Sequence, residues 1–529
     1  MGEENKMKFE LVPVQKKEKR APLAARIVAG ALFLLMVLLT LACIWAVTTY
    51  SNISLEEVLF YLSMPLRGTS KQFTRAIILH VLIPAAGIAC LFLLAVLLPR
   101  KKELRLVCGN GKSIRLLPLR MKMRFAYPLL ALWLAVVLPF GNRLLGIGEF
   151  VSSRMHQSHL IEEEYVDPAE TRITFPEKKR NLITIYIESA ESTNQDIASG
   201  GMMDRNYTPE MTVIEQENVS FSQNDLYAGA AVAPACGWTV AGLVAQTAGI
   251  PLKFFRYDAK SVDHLGNDLV KFLPGAKMMG DILKEEGYRN LFICGSDFDF
   301  GGRRQMYAQH GAYEIYDYYK AIELGWIPED YVYGWGFEDV KLYQFTKDML
   351  LELEKDDRPF HLGILTVDTH DPGWLCELCP QTTDNIYSRV VRCSSKQVYD
   401  FVEWCKQQNF YENTTIVITG DHASMTKSFY EEHADTYDKH NGSDDRLVYN
   451  AFVNPAAQPI KEKNRRFTTL DFFPTVLASI GAEIEGERLG LGTNLFSERE
   501  TLSEEMGYDK LFTELNRKSL FYDNKLLRP

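Results

Sequence analysis

The 529-residue sequence is poor in cysteine, with nine residues, and it contains no internal repeat and no low-complexity stretch. Its 35 glycines and 22 prolines are too few for a collagen-like or disordered chain. Nine cysteines in 529 residues are likewise too few for a disulfide scaffold. An excess of positive charge is also missing, because the net charge is −10. We therefore expect a globular protein that does not act as a general nucleic-acid binder.

The charge is divided unevenly along the chain. Residues 1–149 have 20 Lys and Arg against 8 Asp and Glu, a balance of +12. Residues 150–529 have 38 against 60, a balance of −22. Such an asymmetry indicates a membrane-linked segment joined to an acidic domain.

Three runs in the basic part contain no Asp, Glu, Lys or Arg, namely residues 27–47, 76–99 and 125–142. Each run is long enough to cross an apolar layer of about 30 Å as a helix. A buried core helix is the alternative for any one run, but three in succession with basic flanks favour membrane spans. The sequence therefore predicts a membrane anchor with three transmembrane helices in residues 1–149.

Basic residues also predict the orientation of the anchor. The loop at residues 100–124 has nine Lys and Arg and one Glu, and five further basic residues lie close before the first run: Lys16, Lys17, Lys19, Arg20 and Arg26. Basic loops stay on the cytoplasmic side. Three crossings then place the chain from about residue 150 onwards outside the cytoplasm.

The acidic part has the pattern of one α/β domain. We expect a linker at residues 150–180, a catalytic domain at 181–496 and a C-terminal extension at 497–529. Apolar runs predict strands at 181–187, 290–294, 360–367 and 414–419, and helical periodicity predicts helices at 277–286, 339–355, 394–408 and 468–480. This alternation predicts a mostly parallel sheet with helices on both faces. The ligand site of such a sheet lies at the carboxyl ends of its strands.

Carboxylates and imidazoles come directly after the predicted strands. Glu188 comes after the first, Asp297 after the second, His370 after the third, and Asp421 with His422 after the fourth. Any one of them alone is best explained as a turn or a helix cap. Together they offer oxygen and nitrogen ligands suited to a divalent cation such as Mn²⁺, Zn²⁺ or Mg²⁺.

Thr239 is the candidate nucleophile. It follows Gly237-Trp238 and precedes a small, apolar helical stretch. A hydroxyl at a helix N-terminus lies near N–H groups that favour a bound phosphate. Metal coordination would lower its pKa, although a simple N-cap is the alternative role.

Six cysteines lie in the acidic part: Cys236, Cys294, Cys376, Cys379, Cys393 and Cys405. An even number outside the cytoplasm favours disulfides. The Cys376-x2-Cys379 spacing offers a zinc site as an alternative, but no second pair with that spacing follows.

The motifs taken in order resemble the membrane-anchored phosphoglycerol transferases of the sulfatase-like branch of the alkaline phosphatase superfamily. The resemblance rests on four motifs: Glu188-Ser189, Gly237-Trp238-Thr239, residues 366–372 and residues 419–422. The family includes lipoteichoic acid synthase and the enzyme that decorates osmoregulated periplasmic glucans. The segment at residues 55–68, after the first apolar run, resembles the latter.

The resemblance implies a sulfatase-like fold, a threonine nucleophile and one divalent metal ion, with Mn²⁺ favoured over Mg²⁺ or Zn²⁺. By motif, Glu188, Thr239, Asp421 and His422 would be the metal ligands, with Thr239 also the nucleophile. The substrate-binding residues implied by the family are Arg303, His370 and Asp297. An aromatic residue stands two positions before the arginine in lipoteichoic acid synthase, whereas this chain has Gly301 there. The family comparison also implies a Cys379–Cys393 bridge.

The implied reaction is transfer of sn-glycerol 1-phosphate from phosphatidylglycerol to a glycan or polyglycerol-phosphate acceptor through a glycerophospho-threonine intermediate. The implied location is the bacterial cytoplasmic (inner) membrane, with several spans in the lipid bilayer and an extracytoplasmic catalytic domain. The absence of a C-x-P-x-R motif argues against a sulfatase activity. A phosphoethanolamine transferase or phosphodiesterase acting on cell-envelope glycans or lipids is the alternative enzyme, and a non-enzymatic surface protein is the alternative of another class.

Overall fold

A computed structural model describes residues 8–13, 23–49, 55–63, 69, 71–97, 102–107, 113–115, 123–253, 271–382, 384–434 and 446–528. Most of the basic N-terminal tail and part of the basic loop at 100–124 lie outside the described residues. The chain divides into two compact units. The first contains Met1–Thr49 and Lys71–Ile147, and the second contains Tyr50–Ser70 and Gly148–Pro529.

The N-terminal part of the chain is mainly helical. Its elements are β1 (Lys8–Pro13), α1 (Leu23–Thr49), α2 (Leu55–Ser63), α3 (Lys71–Ile77), a π-helical stretch (Ile78–Leu82), α4 (Ile83–Leu97), β2 (Lys102–Val107), β3 (Ser113–Arg115), α5 (Met123–Leu145) and α6 (Ile147–Met155). Strands β1, β2 and β3 form an antiparallel sheet. Within the first unit, α1 packs against α4 and α5.

Two helical stretches in the described residues have the length and composition of membrane spans, Ile27–Ala46 and Thr74–Phe92. They agree with the first two predicted spans in position, length and composition. The third predicted span, at residues 125–142, is not found as a single helix. Helix α5 has the length and composition of a membrane span only when it is joined to α6 across a break. Pro128 and Pro139 lie inside α5, and each proline removes a backbone hydrogen bond from the helix.

The second unit continues with alternating strands and helices. They are α7 (Leu160–Glu164), β4 (Ile173–Thr174), β5 (Asn181–Ile187), α8 (Pro209–Glu217), α9 (Thr239–Ala248), α10 (Met279–Glu285), β6 (Arg289–Cys294), α11 (Arg303–Gln309), β7 (Glu314–Tyr316), α12 (Tyr318–Glu323), α13 (Asp339–Leu353), β8 (Phe360–Leu365), α14 (Ile386–Cys405), β9 (Thr414–Gly420), α15 (Lys427–His433), β10 (Asn450–Val453), α16 (Phe472–Ser479), β11 (Glu483–Ile484), β12 (Arg488–Leu489), β13 (Gly492–Thr493), α17 (Leu502–Met506) and α18 (Tyr508–Asn516). Short 3₁₀ turns connect several of them, and a second π-helical stretch covers Tyr522–Leu527.

The main sheet has six strands in the order β10-β9-β5-β8-β6-β7. Five strands are parallel, and β10 is antiparallel to β9. This arrangement confirms the predicted mostly parallel α/β fold. Along β5, Ile183 and Ile185 join one buried cluster, while Leu182 and Tyr186 join two others. Both faces of the central strand are therefore covered, as its continuous apolar sequence requires.

The predicted strands and helices are present, with two helix boundaries displaced. Helix α14 begins at Ile386 rather than 394, because the Asn385 side chain accepts a hydrogen bond from the Ser388 N–H (2.8 Å) and caps an earlier turn. Helix α16 begins at Phe472 rather than 468, after a 3₁₀ turn capped by Thr468.

The segment after residue 497 packs on the domain through ion pairs. Arg465 lies 3.0 Å from Glu504, and Arg488 lies 2.7 Å from Glu505. The predicted limits of the linker, the catalytic domain and the C-terminal extension stay predictions.

Candidate active site

Two carboxylates meet where β5 and β9 end. The strands pair in parallel up to Ile187 and Gly420, so Glu188 and Asp421 come next at neighbouring positions. The Ser189 N–H donates to Asp421 Oδ1 at 2.8 Å. Ser189 has a left-handed backbone, with φ of 57°, a conformation that non-glycine residues adopt only where the surroundings enforce it. The turn after β5 is therefore shaped around the Asp421 carboxylate.

Four predicted site residues converge at this edge. Thr239 Oγ1 lies 3.4 Å from Glu188 Oε2 and 3.4 Å from His422 Nε2. His422 Nε2 lies 3.3 Å from Glu188 Oε1 and 3.5 Å from Asp421 Oδ2. All four side chains are buried. The fold thus brings together residues that are up to 234 positions apart in the sequence, from Glu188 to His422.

Helix α9 is held against the end of β9 and thereby positions Thr239. A Cβ atom at Gly242 would lie 2.0 Å from the Asp421 carbonyl oxygen, so the helix approaches this backbone as closely as glycine permits. One turn later, Gln246 Nε2 donates to the Gly420 carbonyl (2.8 Å), and Gln246 Oε1 accepts from Thr419 Oγ1 (2.7 Å). These contacts place the helix N-terminus beside the carboxylates.

The donor atoms are arranged as a metal site requires. His422 Nδ1 is hydrogen-bonded to the Ala423 carbonyl at 2.8 Å, which directs Nε2 toward Glu188 and Asp421. Asp421 Oδ2 is buried and has no hydrogen-bond partner among the described residues. One ligand atom each from Glu188, Asp421 and His422 lies within 4.8 Å of the others. Carboxylate and imidazole donors with an unpartnered oxygen fit a divalent cation.

Mutual burial perturbs the ionisation of this group. Burial raises the pKa of Glu188, but His422 and to a smaller extent His370 outweigh burial, and the pKa falls to about 2. Burial and the Glu188 carboxylate raise the pKa of Asp421 to about 7. Burial disfavours the His422 imidazolium, but Asp421 and Glu188 raise its pKa to about 10. Without a metal ion at neutral pH, the protonated His422 therefore compensates the Glu188 carboxylate, and Asp421 is itself partly protonated.

The loop after β8 carries His370 to the same edge. The Glu188 N–H donates to Thr366 Oγ1 at 2.9 Å, and Thr369 Oγ1 donates to the Glu188 carbonyl at 2.5 Å. The loop is thus hydrogen-bonded to the backbone of Glu188 on both sides. This explains why His370 is close enough to affect the ionisation of Glu188.

Asp297 lies in the loop that follows β6, and Arg303 is the first residue of α11, at the end of that loop. The Arg303 guanidinium donates to the Asp297 carbonyl (2.8 Å), the Phe300 carbonyl (3.0 Å) and Ser296 Oγ (3.2 Å). Burial raises the pKa of Asp297. Within the described part of the chain, no hydrogen bond or ion pair joins either residue to Thr239. Four of the seven predicted residues thus form a tight group. The other three, Asp297, Arg303 and His370, lie in the segments that follow β6 and β8.

A row of aromatic side chains beside the site was not predicted as part of it. In contact order the row contains Tyr61, Phe300 and Trp335, and Trp335 contacts the ring of His370. Tyr61 stacks on Phe300 with ring centroids 5.2 Å apart, and Phe300 lies 5.3 Å from Trp335. Trp335 lies 4.5 Å from the His370 ring. We name Tyr61, Phe300 and Trp335 the aromatic row.

Tyr61 comes from α2, far from the rest of the site in sequence. A Cβ atom at Gly301 would lie 3.6 Å from Val240 Cγ1 and 3.8 Å from Tyr61 Cε1. These are ordinary contact distances, so a methyl group would fit there, and it is the left-handed backbone of Gly301, with φ of 66°, that favours glycine. One sequence signal exists for each side of this contact, the resemblance of residues 55–68 and the glycine at 301. Neither signal indicates that Tyr61 and Phe300 meet.

The sulfatase family profile matches residues 180–482, which include all seven predicted site residues. The chain belongs to the sulfatase family.

Two curated members named phosphoglycerol transferase I are similar to this chain. One from Xanthomonas euvesicatoria pv. vesicatoria is 31% identical over 257 residues, which are 47% of this chain and 34% of the relative. One from Escherichia fergusonii is 29% identical over 416 residues, which are 76% of this chain and 49% of the relative. This sulfatase-family chain thus spans half or less of the length of these relatives.

The crystal structure of the lipoteichoic acid synthase LtaP from Listeria monocytogenes superimposes with a TM-score of 0.48 at 16% identity. The match covers 70% of this chain and 98% of that chain.

Gly242→Ala tests the close packing of α9. We expect a loss of about 1–3 kcal/mol in the free energy of unfolding, because the methyl group overlaps the Asp421 carbonyl and must push the helix away. Urea unfolding measures it. Gly237→Ala is the matched control, since its methyl group would meet nothing nearer than Val232 Cγ1 at 3.9 Å. Equal stability of the two variants would contradict the packing argument.

Metal binding should release a proton from His422. Because its pKa is about 10 in the metal-free site, the imidazole carries a proton at pH 7 that a metal ion must displace. We expect the affinity for Mn²⁺ to rise about tenfold per pH unit for each proton displaced. Calorimetry in buffers of different ionisation enthalpy measures the release. His159→Ala is the control, because His159 is exposed and paired with Glu162, and it should leave the proton release unchanged.

Proposed function

We propose that this chain transfers a phosphoglycerol group from phosphatidylglycerol to a glycan or polyglycerol-phosphate acceptor. The supporting observation is the position of the Thr239 hydroxyl, at the N-terminus of α9 and 3.4 Å from both Glu188 and His422. Similarity to proteins named phosphoglycerol transferase I supports the choice of the transferred group.

The first step is a displacement on phosphorus. Thr239 Oγ forms a bond to the phosphorus of phosphatidylglycerol, and the bond from phosphorus to the diacylglycerol oxygen breaks. The proton lost by the Thr239 hydroxyl balances the proton gained by the oxygen of the departing diacylglycerol. The N–H groups at the start of α9 face the phosphoryl oxygens, where a helix terminus favours negative charge. The product is a glycerophospho-threonine.

The second step restores the threonine. A hydroxyl of the acceptor forms a bond to phosphorus, and the bond to Thr239 Oγ breaks. The acceptor's proton is taken up by a base and passed to the Thr239 oxygen, which regenerates its hydroxyl. His370 is proposed as this base, because its loop is hydrogen-bonded to Glu188 on both sides and imidazole is the most frequent general base in enzymes.

One divalent ion, with Mn²⁺ as the first choice, belongs to this proposal. Glu188, Thr239, Asp421 and His422 would hold it, as the unpartnered Asp421 Oδ2 supports. When bound, it would lower the pKa of the nucleophilic hydroxyl and offset the negative charge of the phosphoryl group.

Arg303 and Asp297 are proposed to hold the phosphoglycerol group. The Nε and Nη2 atoms of Arg303 are occupied by its own loop, and no described residue takes its Nη1. That nitrogen is proposed to bind a phosphoryl oxygen, and Asp297 to bind a glycerol hydroxyl.

The membrane segments support a lipid donor. Two helical stretches have the composition of spans, and the loop at 100–124 has nine basic residues and one acidic residue. We propose that this loop is cytoplasmic and that the catalytic domain lies outside the bacterial cytoplasmic membrane. That placement needs an odd number of crossings, and α5 with α6 would supply the third. Anchoring raises the effective concentration of a donor confined to the bilayer.

The aromatic row is proposed as the binding surface for the acceptor. Aromatic rings offer apolar faces to the C–H side of a sugar, and the row extends from Tyr61 to the ring of His370. An acceptor hydroxyl held there lies beside the proposed base.

Thr239 should carry the transferred group. After incubation with phosphatidylglycerol and Mn²⁺, we expect mass spectrometry to find a glycerophosphate adduct on the peptide that contains Thr239, and none in Thr239→Ala. Thr247→Ala is the matched control, because Thr247 is buried in the same helix and donates only to the Leu243 carbonyl (2.6 Å). It should form the adduct normally. An ethanolamine-phosphate adduct from phosphatidylethanolamine would replace the proposal with a phosphoethanolamine transferase, and no adduct from either lipid would overturn both.

Tyr61→Ala should impair the second step selectively. Loss of an aromatic contact worth about 0.5–1.5 kcal/mol predicts transfer to the acceptor slowed about three- to tenfold, with adduct formation unchanged. Quenched-flow measurement of the two half-reactions tests this. Tyr61→Phe keeps the ring and Tyr319→Ala removes an exposed tyrosine, so both should behave as the unaltered protein. Equal slowing of both steps would show that Tyr61 acts only through packing.

A further inference from the structure

Three cysteine side chains converge away from the candidate active site. Cys376 and Cys379 lie in the segment between β8 and α14, and Cys393 lies on α14. The Cys376 Sγ is 3.7 Å from Cys379 Sγ and 3.6 Å from Cys393 Sγ. All three are buried, and their sulfur atoms all lie within 4.8 Å of one another. We name these residues the thiol cluster.

The thiol cluster has the dimensions of a thiolate metal site. A tetrahedral zinc ion with bonds of about 2.3 Å to sulfur holds its sulfur ligands about 3.8 Å apart, close to the two separations of 3.6 and 3.7 Å. All three thiols are free, as are the other described cysteines. The Cys379–Cys393 bridge that the family comparison implies is therefore not formed in the structure.

The remaining cysteines of the domain show that burial alone does not gather thiols. Cys236 and Cys294 lie in one hydrophobic cluster and Cys405 in another. Cys294 Sγ contacts the Ser296 carbonyl oxygen at 3.2 Å. None of them belongs to a group of three metal-binding side chains in the described residues.

The Gln397 side chain contacts the thiol cluster. Its amide Nε2 lies 3.3 Å from Cys393 Sγ and 3.6 Å from Cys376 Sγ. The side chain is buried, and its Oε1 has no hydrogen-bond partner in the described part of the chain. The nitrogen and oxygen of such an amide are exchanged by a flip about the last bond. The flipped amide directs an oxygen toward the sulfur atoms and leaves no ligand position empty.

We propose that Cys376, Cys379 and Cys393 bind a structural Zn²⁺ ion, with the Gln397 amide oxygen as the fourth ligand. This site is separate from the one formed by Glu188, Asp421 and His422, which has no sulfur ligand. It does not depend on the proposed transferase activity. Thiolates select Zn²⁺ over the Mn²⁺ or Mg²⁺ that suit oxygen ligands.

The thiol cluster fastens the loop that carries His370. The same segment that begins with Thr366 and His370 continues to Cys376, and the Trp374 N–H donates to the Asp368 carbonyl at 2.8 Å. A metal ion shared with Cys393 would tie the end of this loop to α14. The function of the second site is therefore to hold the loop in place rather than to take part in the reaction.

Metal analysis of the full-length protein tests the proposal. Asp421→Asn empties the oxygen site, and we expect this variant to retain one Zn²⁺ per chain after dialysis. Adding Cys376→Ser should remove that ion, whereas adding Cys405→Ser, on the same helix as Cys393 but outside the cluster, should not. Retention of zinc in the Cys376→Ser variant would overturn the proposal.

A measurement on the unaltered protein covers the case in which a variant fails to fold. Replacement of zinc by Co²⁺ in the unaltered protein should produce the near-ultraviolet charge-transfer absorption of a cobalt–thiolate bond. In a separate test of the fourth ligand, Gln397→Ala should weaken Co²⁺ binding while the absorption persists at saturating metal. Absence of this absorption would contradict the site. A Cys379–Cys393 disulfide in the peptide map would contradict it equally, because oxidation would leave one thiol for the metal.

Discussion

The burial of Glu188 and Asp421 side by side is the constraint on which the rest of the domain depends. Parallel pairing of β5 with β9 brings the two carboxylates to one place, and water cannot screen their repulsion there. Every neighbouring feature offsets that charge: the Ser189 N–H, the His422 imidazole and the N-terminus of α9. The same environment favours a bound cation and a phosphoryl group, so the fold and the proposed chemistry share one electrostatic requirement.

The sequence predicted the sheet and three of the four grouped residues because both obey simple rules, whereas Thr239 was placed with them by the family resemblance. Continuous apolar runs are typical of strands covered on both faces, and parallel strands bring the residues at their carboxyl ends to a common edge. Glu188, Asp421 and His422 were identified in this way without any knowledge of distances. The start of α14 was missed because one side chain, Asn385, decides it. The third predicted span is not a single helix, because α5 qualifies as a span only together with α6, beyond a bend of 73°.

Contacts between distant segments could not be predicted. Tyr61 meets Phe300 although the two residues are 239 positions apart in the sequence, and no periodicity relates them. The spacing of Cys376 and Cys379 suggested either a disulfide or a metal, but Cys393 joins them only through the packing of α14. Such residues are recognised from three-dimensional proximity, which short sequence motifs do not record.

Helix α2 belongs to the catalytic unit, although it precedes the second apolar span in the chain. Phe60 packs beside Trp238 with ring centroids 5.7 Å apart, next to the start of α9. A soluble form released by proteolysis after the anchor would therefore leave this helix behind. Such a form would lack Tyr61 of the aromatic row, and Trp238 would lose its contact with Phe60. The chain between the two candidate spans thus completes the catalytic unit, and a domain shed after the anchor would be an incomplete protein.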